Sequence, residues 1–403
     1  MVVLKGSLTT FVNAMTANDL TSYVCASRND VDMENLMSVY LDAVFQPLVV
    51  TEEGKWILRQ EGWRVEMNHT GEPEFTGVVY SEMKGVLSNP DSVLGYHSSA
   101  QIFPNVTYRF NSGGDPKVIP QLTQEELSNF YNTFYHPSNA QAFYYGTITS
   151  ANNLLTQLDE YLQNYDARPD IREQSKIDLQ PLIDVEPKLQ RVPYAADEQE
   201  TDHQILMTWL VSKDGKMDDE FQRENRLAYT VLDELLMSEP NGVLFKALQE
   251  SGLGSGIEGG VDNSIQQWTF DVHLSNVEES NIQAVQDVVM TTLQKVVKDG
   301  FDQQDIDSAM NTVEFNARDI SSFTGPRGIL MWMQIMHTWK FDLDPRTGLL
   351  SFEEDFAILQ EKVTQHRSGV FTKIIQDNML NNQHYVVVDL YPDPTLAEKE
   401  AQV

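Results

Sequence analysis

The sequence predicts an α+β protein made of two similarly built domains. Three observations point there: strands and helices alternate through both halves of the chain, a proline-broken stretch without apolar period divides the halves, and 403 residues allow two buried cores at about 100–200 residues per domain. Hydrophobic residues make up 41% of the chain and aromatics 10%, which is globular rather than disordered usage.

Each element follows from a local pattern. Ser7–Val12 and Thr21–Ala26 read as strands. Met33, Leu36, Met37, Tyr40, Leu41 and Val44 then recur at helical spacing, and Pro47 ends that stripe. An extended piece around Trp63–Met67 leads through a turn at Gly71-Glu72-Pro73 to a helix starting near Gly77. Thr123-Gln124-Glu125-Glu126 has the spacing of a capping box, in which threonine and glutamate each satisfy the other's backbone N–H. Ala142–Ile148 reads as an aromatic-rich strand, followed by a helix that Ser150 caps and that carries Leu154, Leu155, Leu158, Tyr161 and Leu162. Between Arg168 and Glu200, Pro169, Pro181, Pro187 and Pro193 break any period. A linker is therefore expected over 168–200, between a first domain at 1–167 and a second at 201–403. In the second, strands at Gln204–Val211, Trp268–Leu274 and Tyr385–Leu390 alternate with helices at Asp219–Leu236, Glu278–Lys298, Gln303–Asp319 and Gly328–Trp339.

Composition excludes several classes of function. Sixty acidic residues against 28 basic ones leave a formal charge of −32, a field that repels phosphate, so no nucleic-acid partner is expected. No run reaches the roughly 18 consecutive apolar residues of a membrane-spanning helix, and no membrane partner is expected. The single cysteine, Cys25, has no partner for an internal disulfide, which fits a reducing or organellar interior. Between aromatic and β-branched neighbours it reads as a buried, inert thiol. Met1–Ser7 shows neither the apolar core of a signal peptide nor the arginine-rich pattern of a transit peptide.

Gly254-Ser255-Gly256-Ile257-Glu258-Gly259 matches GxGxxG, but a dinucleotide site needs a strand before those glycines and a helix after them. Here the order is reversed, so the glycines read as a helix end turning into a strand. None of the eight histidines pairs with another at the three- or four-residue spacing of a helical metal pair. Glu66 with His69, and Glu200 with His203, read as solvated surface pairs. Asn68-His69-Thr70 and Asn105-Val106-Thr107 are formal glycosylation sequons, which the compartment argument disfavours. The most informative segment is Gly77-Val78-Val79-Tyr80-Ser81-Glu82-Met83-Lys84-Gly85. A carboxylate in an apolar helical start is costly unless it is paired or holds a metal. On composition alone Glu82 reads as a half-exposed helical glutamate pairing with a lysine rather than as a metal ligand.

The blocks Leu4-Lys5-Gly6-Ser7-Leu8, Asn13-Ala14-Met15-Thr16, Gln60-Glu61-Gly62-Trp63 and Gly77–Gly85 resemble, in order, the presequence protease family. Ser112-Gly113-Gly114-Asp115-Pro116, Tyr135-His136-Pro137-Ser138-Asn139, Glu250-Ser251-Gly252-Leu253-Gly254 and Pro326-Arg327-Gly328 continue the match. The resemblance implies two pitrilysin-like domains, each a mostly antiparallel sheet packed with helices. It also implies part of a zinc endopeptidase that degrades short unfolded peptides such as cleaved organellar targeting peptides. In these inverzincins an HxxEH helix supplies two histidine ligands and the general base, and a downstream glutamate supplies the third ligand; Glu82 matches that glutamate. HxxEH does not occur in the 403 residues, and its place in the family lies just before Leu4. The chain alone is therefore expected to be inactive, with the C-terminal half of the same protein or a companion chain as partner. Asn13, Ala14 and Met15 match an edge strand to which substrate peptides add through main-chain hydrogen bonds, Met15 standing where an aromatic is usual. A mitochondrial matrix or plastid stroma, and unfolded basic peptides as partners, are further implications. A catalytically inactive peptide-binding or subunit-type relative of the same fold is the alternative, and a truncated reading frame without independent role is the third.

Overall fold

The computed structural model describes residues 7–183, 189–211, 219–318, 326–346 and 352–401. In chain order the elements are β1 (Thr9–Thr16), β2 (Thr21–Ser27), α1 (Asp30–Phe45), α2 (Lys55–Glu61), β3 (Arg64–Met67), β4 (Pro73–Thr76), α3 (Val78–Val86), α4 (Pro90–Ile102), α5 (Gln124–Phe134), α6 (Ile148–Leu162) and α7 (Pro169–Gln174). They continue with β5 (Leu189–Ala195), β6 (His203–Leu210), α8 (Asp219–Met237), α9 (Val243–Ser251), β7 (Ser255–Asp262), β8 (Thr269–Val277), α10 (Ile282–Asp299), α11 (Gln303–Arg318), α12 (Arg327–Trp339), α13 (Phe352–His366), α14 (Gly369–Ile375), β9 (Tyr385–Asp393) and α15 (Leu396–Ala401). The chain is α+β, as expected, and divides into two compact units: Met1–Leu87 with Asn111–Ile177, and Ser88–Phe110 with Asp178–Val403.

In the first unit β1 and β2 form one antiparallel pair and β3 and β4 another. Polar side chains fix the helices around α1. The Tyr131 hydroxyl of α5 donates to the Val44 carbonyl at 2.7 Å, and the Gln157 amide of α6 donates to the Glu34 carbonyl at 3.0 Å. The capping box at Thr123 forms as its spacing requires, reciprocally with Glu126. Two local expectations fail. Ala142–Ile148 forms no strand, because aromatic propensity needs a neighbouring strand to take its hydrogen bonds and neither hairpin of this unit pairs with it. The cap of α6 is Thr147, whose hydroxyl accepts from the Ser150 amide, while Ser150 donates to Asp30 at 2.8 Å and ties α6 to the start of α1.

The second unit is built on one five-stranded sheet of order β5-β9-β6-β8-β7. The β5–β9 pair is parallel and the other pairs are antiparallel. One face carries the large core, in which Met207, Trp209, Phe270 and Val387 of the strands meet Leu232, Leu248, Val289 and Phe371 of the helices. The other face receives α4, with Leu94 against Val192, Val388 and Leu390 and Ser98 hydrogen-bonded to Thr208 at 2.8 Å. The helix precedes and the strand follows, as read, but the glycine that ends α9 is Gly252, at φ +63, outside the GxGxxG motif, whose Gly256 and Gly259 lie within β7.

The stretch 168–200 contains ordered elements where a linker was expected. Pro169 opens α7, since a missing N–H costs nothing in a first helical turn. Pro193 sits in β5, an outermost strand of the sheet, where a proline is tolerated. Gln180 is buried and exchanges bonds with Gln267. Residues 184–188, including Pro187, and the expected helix end at Asp319 lie outside the described residues.

Two carboxyls flank the glycine-rich strand β7. Asp233 of α8 lies over Gly260, where a Cβ would meet its Oδ1 at 2.5 Å, and Asp271 of β8 stands beside Thr208 and Thr269. Burial pushes both up to about 6. The fold favours their neutral forms, so the stability they supply is complete below the ordinary aspartate range and is lost as pH rises through about 6. Asp271→Asn is expected to gain melting temperature relative to wild type between pH 4 and 7, and to hold a constant advantage above that. An advantage independent of pH would refute the assignment.

Candidate functional site

The residues singled out by sequence all lie in the first unit, on α3 and β1. The start of α3 is set by Gly77, whose φ of +149 and lack of a side chain let it lie against Gly62; a Cβ there would run into the Gly62 carbonyl. That carbonyl accepts from the Tyr80 amide at 3.2 Å. Phe75 of β4 packs on Trp63 and on Tyr80, at 5.8 and 5.9 Å between ring centroids, so the hairpin β3–β4 and the helix share an aromatic joint. Met83, 6% exposed, points down against Gly113, where any side chain would collide with its sulfur. Gly113 is held in turn by Asn111 Oδ1, which accepts from its amide at 2.9 Å. The match at Ser112–Pro116 thus has a local cause: it is the bed of α3.

With Met83 buried, the neighbouring Glu82 is turned outward. It is exposed on a helix face between Val78, 54% exposed, and Val86, 38% exposed, one turn before and after it. A carboxylate between exposed valines is an acceptor on a surface otherwise suited to burial. Across the hairpin Val65 and Phe75 are directly opposed, and both are exposed, as is Met67. Among the described residues no three His, Cys, Asp or Glu side chains converge as a metal site. One carboxylate does not hold zinc, so these residues by themselves do not fit the ion.

Asn13, Ala14 and Met15 lie together on β1, opposite Val24, Tyr23 and Ser22 of β2. The closing turn donates from the Ala17 amide to the Leu20 carbonyl at 2.8 Å. Hydrogen-bonded pairs alternate in an antiparallel ladder, so Met15, Asn13 and Phe11 direct their main-chain groups to β2, while Thr16, Ala14 and Val12 direct theirs to the outer edge. The Ala14 amide accordingly donates not across the ladder but to Asn13 Oδ1, at 2.9 Å. On β2, Cys25 is half-buried rather than buried as expected, and burial pushes its thiol up to about 11, away from the reactive thiolate. Burial, then the adjacent Tyr135 hydroxyl at 3.2 Å, raise Tyr23.

Several other titratable groups have structural partners. Glu66 pairs with Arg64 at 2.6 Å. His203 is not at the surface with Glu200 but buried, its Nδ1 2.6 Å from Asp389 Oδ1, and Arg191 reaches the other oxygen of Asp389 at 2.8 Å and Glu279 at 2.8 Å. His384 accepts from the Ile183 amide through Nδ1 and donates to the Ile102 carbonyl through Nε2 at 2.8 Å; burial holds its pKa low, which keeps this neutral tautomer. The sequence reading missed the Asp389 network, although a lone acid within Val386-Val387-Val388-Asp389-Leu390 was its visible signal.

Comparison with solved structures places the fold among M16-type peptidases. The peptidase M16 inactive domain from Pseudomonas fluorescens superposes with a TM-score of 0.64 at 13% identity, covering 95% of this chain and 81% of that one. An M16-like peptidase from Alicyclobacillus acidocaldarius gives 0.61 at 18% identity, covering 95% and 80%. In sequence, residues 121–313 match the family described as the peptidase M16 inactive domain. The chain is 38% identical to presequence protease 1, chloroplastic/mitochondrial, of Arabidopsis thaliana over 99% of its own length and 36% of that protein. It is 36% identical to protein HypA of Clostridium perfringens, covering 99% and 40%, and 32% identical to the mitochondrial presequence protease of Mus musculus, covering 100% and 38%. Over nearly its whole length the chain is similar to presequence proteases. It spans about two fifths of the length of these relatives.

The geometry separates a backbone role from a surface role. Gly77→Ala is expected to cost about 2 kcal/mol or more, since both conformation and space exclude a side chain. Glu82→Gln should stay within about 0.5 kcal/mol of wild type, as for exposed sites that support no packing. Chemical denaturation of both variants checks this, and a large loss for Glu82→Gln would make the residue structural.

Proposed function

We propose that this chain is part of a zinc metalloendopeptidase that degrades short unfolded peptides, including cleaved targeting peptides, and that Glu82 is the zinc ligand it contributes. The observation that carries the reading is the outward carboxylate of Glu82, fixed by Gly77 below and Met83 behind, at the place where the family has its third ligand. The exposed Val65, Phe75, Met67 and Val78 around it are the surface on which the remainder of a complete protease, in the same protein or a companion chain, would pack. The β1 edge at Asn13, Ala14 and Met15 is the proposed seat of the peptide, held as an added strand. The names of the relatives support a mitochondrial or plastid setting.

The ion would polarise the scissile carbonyl and activate water; this chain's part is to hold one ligand and to align the peptide. With HxxEH supplied by the segment that completes the site, Glu82→Gln should lower both bound zinc and turnover at least about tenfold. Unchanged zinc stoichiometry would remove Glu82 from the site. The 403 residues alone are expected to cleave no unstructured peptide, and chelator-sensitive cleavage by them would contradict the proposal.

The charge of −32 bears on substrate choice. A basic peptide should bind more weakly as salt rises, because the Debye length falls to about 10 Å at 0.1 M, while a neutral peptide of equal length is nearly unaffected. Parallel salt curves for the two peptides would leave the acidity a matter of solubility alone.

A further inference from the structure

We infer that the Asn13 carboxamide is a displaceable cap on the β1 edge, closing the central main-chain donor of that edge until an incoming strand replaces it. The inference rests on the reading of β1 as a peptide seat and adds how the seat is kept closed. Three observations carry it. The ladder parity fixed by the Ala17–Leu20 bond turns the main-chain groups of Val12, Ala14 and Thr16 outward. Of these three, Ala14 is central, and its N–H donates to the side chain of the residue before it, Asn13 Oδ1, at 2.9 Å. Both residues are exposed, so a strand approaching the edge meets this contact without disturbing any packed group.

The chemistry of such a cap is competitive. An exposed edge strand is a template for any extended chain, including another copy of itself, and proteins blunt such edges with local devices. A side-chain amide oxygen one residue away is a modest device: it satisfies the donor, yet yields to a main-chain carbonyl that arrives with several further hydrogen bonds. An incoming strand that places its own carbonyl opposite Ala14 recovers the lost bond. A non-extended segment recovers nothing, so the cap favours unfolded over folded substrates.

Two measurements on the full 403-residue chain test this. In the first, amide exchange is read by NMR on alanine-labelled protein. The Ala14 amide is expected to be protected in wild type, to lose about threefold to tenfold of that protection in Asn13→Ala, the span of one competing hydrogen bond, and to keep it in Asn13→Asp, which retains the acceptor. In the second, a labelled neutral peptide of alternating valine and threonine is titrated. Asn13→Ala is expected to bind it about threefold to tenfold more tightly than wild type. Equal Ala14 exchange in wild type and Asn13→Ala, or weaker peptide binding by Asn13→Ala, overturns the cap. Normal Ala14 protection with no peptide binding by any variant instead overturns the peptide seat, leaving the cap as a guard against self-pairing.

Discussion

Asp389 has no solvent exposure, and the second unit is arranged around meeting its charge. A buried carboxylate is tolerated only with partners in place. Those partners come from the two strands that flank β9, Arg191 on β5 and His203 on β6, which lie 198 and 186 residues from Asp389 in sequence. The Arg191 guanidinium also lies over the Tyr391 ring, at 5.0 Å. Slipping β9 by one residue would turn Asp389 to the face where Leu94 packs and strand His203 against nothing. The ion cluster therefore sets the register of the sheet, and the core that the sheet carries follows from that register.

Strands and helices with strong periods were legible in the sequence. The stripe from Met33 to Val44, the capping box at Thr123 and the glycines of β7 each encode their structure within a few residues. What failed was partnership. Ala142–Ile148 has the composition of a strand, but pairing is decided by residues far along the chain. Pro169 and Pro193 looked like breaks because proline forbids a helix interior or a central strand, and each sits in the one position of its element that proline accepts. The helix α4 was not read at all, because its small and polar residues leave no apolar stripe at helical spacing, and the strands it covers lie far along the chain.

The site was legible to a different degree. Composition made Glu82 one acid among sixty, and only the resemblance picked it out. Its physical signature is indirect. It lies in the rigidity of what surrounds it, with glycines at 62, 77 and 113 marking close approaches of backbone and Met83 the fixed side of the helix. The placement of that carboxylate is written into the residues around it rather than into Glu82 itself.

The excursion Ser88–Phe110 gives the molecule an unusual connectivity. The chain passes between its units at 87–88, returns at 110–111 and passes again at 177–178. Each unit is therefore discontinuous in sequence. No single cut yields two self-contained pieces, and no contiguous stretch can be excised, duplicated or exchanged as an independent module without carrying a helix that belongs elsewhere or leaving one behind. A crossover at any one junction therefore cannot exchange one body whole while leaving the other intact.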